Sequence, residues 1–117
     1  MELRLKRVYD DPSPDDGYRV LVDRLWPRGL TKERAALDLW AKDVAPSPEL
    51  RRAWHGADAG AWDDFANDYR AELAGASAGH VAALRDELSQ HPVVTLLYAA
   101  HDPVRNHALV LRDALAA

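Results

Sequence analysis

Cysteine is missing from all 117 residues, which excludes disulfides, thiolate nucleophiles and cysteine-ligated zinc or iron–sulfur centres. Long apolar runs are missing too. No segment approaches the roughly 20 apolar residues of a membrane span, and Met1-Glu2-Leu3-Arg4-Leu5-Lys6 does not lead into a signal-type apolar stretch. The expectation is a soluble cytoplasmic protein without a membrane partner. Positive charge is not in excess either: 15 Lys and Arg stand against 19 Asp and Glu, a net charge of -4. With a pI near 5.7, the surface is not built for non-specific capture of nucleic acid, and no nucleic-acid partner is expected. A local basic pocket is still compatible with that balance.

Several motifs are equally absent. There is no Walker motif and no Gly-x-Gly-x-x-Gly run, so the common phosphate cradles for nucleotides are not present. None of Ser13, Ser47, Ser77 and Ser89 sits in a Gly-x-Ser-x-Gly elbow. His55, His80, His91, His101 and His107 include no pair at i, i+4, so no metal template is recognisable, and neither metal nor cofactor is expected.

What is there reads as one globular α/β domain, residues 1–117, with 48% hydrophobic and 29% charged residues. A chain of this size buries roughly two thirds of the surface exposed when unfolded. Leu3, Leu5 and Val8 alternate with Arg4, Lys6 and Arg7, which predicts a short edge strand. Asp10-Asp11-Pro12-Ser13-Pro14-Asp15-Asp16-Gly17 is a loop by its turn residues. Residues 18–25 read as a buried strand, and Thr31 as the cap of a short helix. Ser47-Pro48 begins a helix running toward Trp54-His55. Trp62, Phe65, Ala66, Tyr69 and Leu73 follow the i, i+3, i+4, i+7 spacing of a packed helix face. Ser77 is the expected cap of the next helix, with Val81, Leu84 and Leu88 as its stripe. Val93-Val94-Thr95-Leu96-Leu97-Tyr98 is the second strong strand, and Val104, Ala108, Leu111 and Leu115 mark a final helix. Strands separated by helices imply a mainly parallel sheet with flanking helices.

In such a sheet, ligand sites lie beyond the carboxyl ends of strands. Residues 23–28 and 98–107 should therefore emerge at one edge. Arg24 and Arg28 carry guanidinium forks suited to carboxylate or phosphate oxygens, and Trp26 between them would line the cleft. Asp102 and Pro103 resemble the cap and first position of a helix, with Arg105, Asn106 and His107 in its first turn, where backbone N–H groups favour anions. Asp23 and His107 are the candidate proton-transfer groups, with Arg24, Trp26, Arg28, Tyr98 and Asn106 as candidate substrate contacts. The plainer alternatives are that the arginines pair with Asp23, Asp38 or Asp43, that Asn106 satisfies nearby backbone, and that His107 is a buried histidine bonded to a carbonyl.

Tyr9-Asp10 with residues 12–30 resembles the YeaO-like family, domain of unknown function 488. So do Leu37-Asp38-Leu39-Trp40, Trp54-His55, Thr95-Leu96-Leu97-Tyr98-Ala99-Ala100 and Asn106-His107-Ala108. The resemblance implies a compact α/β domain with Asp23-Arg24 and Asn106-His107 in a shared polar cleft. Where the broader family often carries Cys-His-Arg, this chain has Asn106-His107-Ala108, so the thiol of any cysteine-dependent chemistry is gone. Relatives have been labelled transcription regulators, yet no helix-turn-helix signature or basic recognition helix is present.

Three readings follow for the cleft. The first is an enzyme acting on an anionic small molecule, phosphorylated or nucleotide-like, and the second is a non-catalytic ligand-sensing or interaction module. In the third, Asp23-Arg24 and Asn106 form a polar network that only holds the sheet edge.

Overall fold

A computed structural model describes residues 1–54 and 61–116. The alternating N-terminal segment forms β1 (Glu2–Arg7), and Tyr18–Leu21 forms β2. Thr31 Oγ1 accepts the Arg34 N–H and caps α1 (Lys32–Ala35), as its hydroxyl predicts. A two-residue β3 (Leu39–Trp40) follows. Ser47 Oγ accepts the Leu50 N–H at the start of α2 (Pro48–Trp54). Then come α3 (Trp62–Ala74), α4 (Ala78–Leu88), β4 (Val93–Tyr98) and α5 (His107–Ala116). The expected contribution of His55 lies outside the described residues.

Among the described residues the four strands are all parallel, in the order β1-β4-β2-β3, so β1 is an edge strand as its charge alternation predicts. The register aligns Leu5, Leu96 and Val20 across the three long strands. Period-two alternation then sorts the side chains into two layers. On one face Val20, Val22, Val94 and Leu96 pack against Phe65, Tyr69, Val81, Leu84 and Leu111 from α3, α4 and α5. On the other, Val8, Leu21 and Leu97 are covered by Tyr9, Trp26, Leu30, Leu37 and Trp40, mostly from the chain between β2 and β3.

Three sequence expectations are corrected here. The β2 ladder stops at Leu21 rather than Leu25, because beyond Val22 the Asp23 side chain takes the next N–H of β4, that of Ala99, in place of a backbone carbonyl. Ser77 makes no side-chain cap, and its own N–H donates to the Glu72 carbonyl. The last helix begins at His107 rather than near Pro103, which leaves Val104 65% exposed and off the packed stripe.

The second face is polar in its lower half, where Arg19 is 4% exposed. Its guanidinium bonds the Asp16 carboxylate, the Ala35 carbonyl at 2.8 Å and the Ala36 carbonyl at 3.1 Å. Asp16 also accepts from Lys6 Nζ at 3.1 Å and from the Ser13 N–H at 2.9 Å, while its carbonyl takes the Thr95 hydroxyl. A buried charge is tolerable only with such full pairing. The loop before β2 and the helix after it are thereby pinned to the sheet. Next to Asp16, Gly17 has φ +63° and lies so close to Val93 that an added Cβ would sit 2.3 Å from its carbonyl oxygen.

Burial pushes the Asp16 carboxyl up, but the Ser13 N–H, Lys6 and Arg19 outweigh it, so the net shift is downward from 3.8. A carboxyl with a depressed folded value stabilises fully above its unfolded value and loses that contribution as pH falls through the folded one. Asp16→Asn, which leaves Arg19 buried without its partner, is expected to cost about 3 kcal/mol at neutral pH. The gap to the parent protein should narrow as urea denaturation is repeated below about pH 4; a constant gap would refute the assignment. Gly17→Ala, strained in both φ and space, should lower stability by at least about 2 kcal/mol, read as a melting temperature about 8 °C lower or more.

Candidate functional site

The segments that follow β1, β2 and β4 deliver residues to one concavity at the carboxyl edge of the sheet, with a volume of about 410 Å³. Ala99 and Ala100 after β4 form part of the floor with Asp23 after β2. Arg7 holds that floor from the end of β1 through the Ala100 and Ala99 carbonyls, at 3.0 and 3.3 Å. A broader depression of about 550 Å³ at the opposite edge includes Arg4, Asp15 and the stacked Tyr18 and His91 rings. There Arg4 is already bonded to the Asp15 carbonyl and to Glu2, so its charge is not available to a ligand as the upper cleft's charges are.

Asp23 and His107 meet in the cleft. His107 Nε2 lies 2.8 Å from Asp23 Oδ1 and 3.1 Å from the Val22 carbonyl, and both side chains are 16% exposed. Both neighbours of Nε2 are acceptors, so this nitrogen carries the proton. Its N–H points to the Val22 carbonyl, which leaves the buried Oδ1 beside it without a well-aligned hydrogen bond. Asp23 Oδ2 accepts the Ala99 N–H at 3.0 Å. No hydrogen bond engages His107 Nδ1 among the described residues.

The arginines divide by availability. Arg24 lines the cleft, but its Nε and Nη2 donate to the Pro46 and Ala45 carbonyls, both at 3.1 Å. It therefore ties the β3–α2 connection to the strand end and keeps only part of its fork for a ligand. Arg28 and Arg105 are exposed, line the cleft, and have no side-chain hydrogen bond or ion pair among the described residues. The alternative pairing of Arg24 or Arg28 with Asp23, Asp38 or Asp43 is not observed. Arg51 of α2 also lines the cleft and was not singled out in the sequence. Only its position after the Ser47-Pro48 helix start, on the face leading to Trp54, could have signalled it.

Two other expected contacts have structural placements. Asn106 is 3% exposed; its Oδ1 accepts the Leu109 N–H and its Nδ2 donates to the Asp102 carbonyl. It is the cap of α5, the role expected for Asp102. Asp102 instead closes the preceding turn, accepting the N–H groups of Arg105 and Val104, which hold its carboxyl below the ordinary value. Tyr98 is 4% exposed and faces the helical layer rather than the cleft. Burial pushes its phenol up.

Aromatic residues bound the cleft from both layers. Trp26 and Tyr9 come from the loop-covered face, with the Trp26 indole N–H on the Leu30 carbonyl at 2.7 Å and the Tyr9 hydroxyl on that of Arg28 at 2.8 Å. Trp54 and Phe65 come from the helical face, their ring centroids 5.0 Å apart. Tyr69, anchored by its hydroxyl on the Val44 carbonyl at 2.6 Å, backs the His107 ring edge-on. Of these, Tyr9, Trp54 and Phe65 were not expected in the site, since their spacing reports only local packing. Among the described residues, no group of three or more His, Asp or Glu side chains is placed to hold a metal ion, and no helix is long and apolar enough to cross a membrane.

Compared with known proteins, residues 2–117 match the family described as "Inactive DUF488-N3 subclade". The chain is 48% identical over 113 residues to the uncharacterised protein YeaO of Escherichia coli (strain K12), covering 97% of this chain and 96% of that one. It is 45% identical over 113 residues to the uncharacterised proteins Mb3100c of Mycobacterium bovis and Rv3073c of Mycobacterium tuberculosis, covering 97% of this chain and 92% of each. No solved structure matches.

The Asp23 and His107 contacts generate a stability test. Replacing either by alanine leaves the other's buried polar atom without its neighbour, at about 1–3 kcal/mol. A double-mutant cycle of Asp23→Ala and His107→Ala in urea should show coupling of about 1 kcal/mol or more. Additive losses would mean that the two side chains are merely adjacent.

Proposed function

Because the chain belongs to the DUF488 family and matches its inactive N3 subclade, we propose that it is a non-catalytic recognition module for a small anion, held at the carboxyl edge of its sheet. The observation that carries this reading is the charge of the cleft: Arg24, Arg28, Arg51 and Arg105 line it against one carboxylate, Asp23, in a chain of net charge -4. Guanidiniums gathered in a concavity between apolar walls attract oxyanions more strongly than the same groups on an open surface. The described lining contains no Ser, Thr, Cys or Lys side chain that would serve as a covalent nucleophile.

One observation favours a second reading, an enzyme that uses water. His107 is oriented through Nε2 by Val22 and Asp23, and its Nδ1 has no partner among the described residues. An imidazole held in this way is a candidate general base.

Inorganic phosphate at about one hundred times its dissociation constant should stabilise the protein by about 2.7 kcal/mol, visible as a raised melting temperature. The doubly substituted Arg28→Gln, Arg105→Gln protein should lose that response while keeping a ligand-free stability within about 0.5 kcal/mol of the parent, since both positions are exposed. Absence of a response to phosphate, sulfate and simple carboxylates would overturn the anion reading. Turnover of a phosphate monoester that disappears in His107→Ala would replace the module by the enzyme.

A further inference from the structure

The two sides of the cleft come from opposite layers of the fold. Leu21 and Leu97 point to the loop-covered face, while Val22 and Leu96 point to the helical face. Tyr9 and Trp26 pack with the first set and Trp54 and Phe65 with the second. At the strand ends, where the sheet itself stops, the layers remain as facing walls on either side of Ala99 and Ala100. The floor residues are small, and among the described residues no side chain fills the space between the walls.

Inorganic phosphate or sulfate would make no use of those walls. Aromatic surface left exposed to solvent in an empty cleft is unfavourable until a ligand covers it, and aromatic rings favour offset-stacked or edge-on contacts with another ring. Arg28 lies two residues beyond Trp26 and Arg105 in the loop after β4, and neither guanidinium has a hydrogen-bond or ion-pair partner among the described residues. We infer that the ligand of this cleft is a flat aromatic or heteroaromatic ring carrying an oxyanion, its ring between the walls formed by Tyr9 and Trp26 and by Trp54 and Phe65, and its anion on Arg28 and Arg105. This rests on the anion-recognition reading and adds a ring to it.

The volume of about 410 Å³ lies in the range of small-molecule sites, which run from about 300 to 1,000 Å³. His107 Nδ1, beside the floor, adds one polar contact for a ring substituent. Trp26 and Trp54 make the site self-reporting, because a ring placed against either changes its emission.

The test titrates the full chain with inorganic phosphate, phenyl phosphate and phenol, followed by tryptophan fluorescence and by calorimetry. Phenyl phosphate should bind at least about tenfold tighter than phosphate, with phenol weaker than both. Trp54→Leu should remove most of the advantage of phenyl phosphate and leave phosphate affinity unchanged, whereas Arg28→Gln, Arg105→Gln should weaken both anions. Equal affinity for phosphate and phenyl phosphate would overturn the ring and leave the anion reading standing. Phenol binding as tightly as phenyl phosphate would overturn the pairing of ring with oxyanion. If neither phosphate nor phenyl phosphate binds, both readings fall together. Should Trp54→Leu not fold, competition between phosphate and phenyl phosphate on the parent protein decides the same point.

Discussion

The Asp23 carboxylate accepts the Ala99 N–H at the end of β4 and lies against His107 at the start of α5, while its backbone carbonyl takes the Trp40 indole N–H beside β3 at 2.7 Å. Through this one residue the ends of three strands and the first turn of the last helix are held together. A short carboxylate suits the task, since one oxygen accepts the Ala99 N–H and the other lies against His107 without a long, mobile stem. The site is therefore built on the sheet's own termination, and its geometry is as rigid as the strands that end there.

The same position explains why some charged residues near the cleft are structural and others are not. Arg24 is adjacent to Asp23 and within reach of the Ala45 and Pro46 carbonyls, which have no strand partner of their own. It spends its fork on them. Arg28 and Arg105 stand farther along their loops and meet no such orphaned acceptor among the described residues. Asn106 resembles Arg24: its amide is consumed by the first turn of α5 and by Asp102. The polar network at the sheet edge describes Arg24 and Asn106, whereas Arg28 lines the cleft without a partner among the described residues.

Much of the fold was legible because its signals are local. The Val93 to Tyr98 run, the aromatic stripe of α3 and the Thr31 cap each follow from neighbours a few residues apart. Boundaries were less legible where two caps competed, as with Asp102 and Asn106, both of which bond N–H groups three residues onward. The convergence of the 23–28 and 98–107 segments could be inferred from parallel strands, but the pairing of Asp23 with His107 could not, since register across the sheet fixes it. Arg51, Trp54 and Phe65 were hidden for a related reason: their place at the cleft depends on how α2 and α3 rest on the sheet. Tyr98 turns to the helical layer for the same reason, because a strand's last residue faces one layer or the other by a single step of register.

The strand order carries a consequence for how the chain reaches its native state. β4 lies between β1 and β2, so the first strand of the chain pairs only with the last. Until β4 is present, β1 has no partner and β2 has only the two residues of β3. Apart from the two-residue pairing of β2 with β3, no strand pair can form ahead of β4, and long loops must close before most of the sheet forms, which slows folding. The floor of the cleft is the end of that same central strand. A partly folded chain thus has no version of the cleft, weak or otherwise, and amide hydrogens along β4 should exchange only through global unfolding.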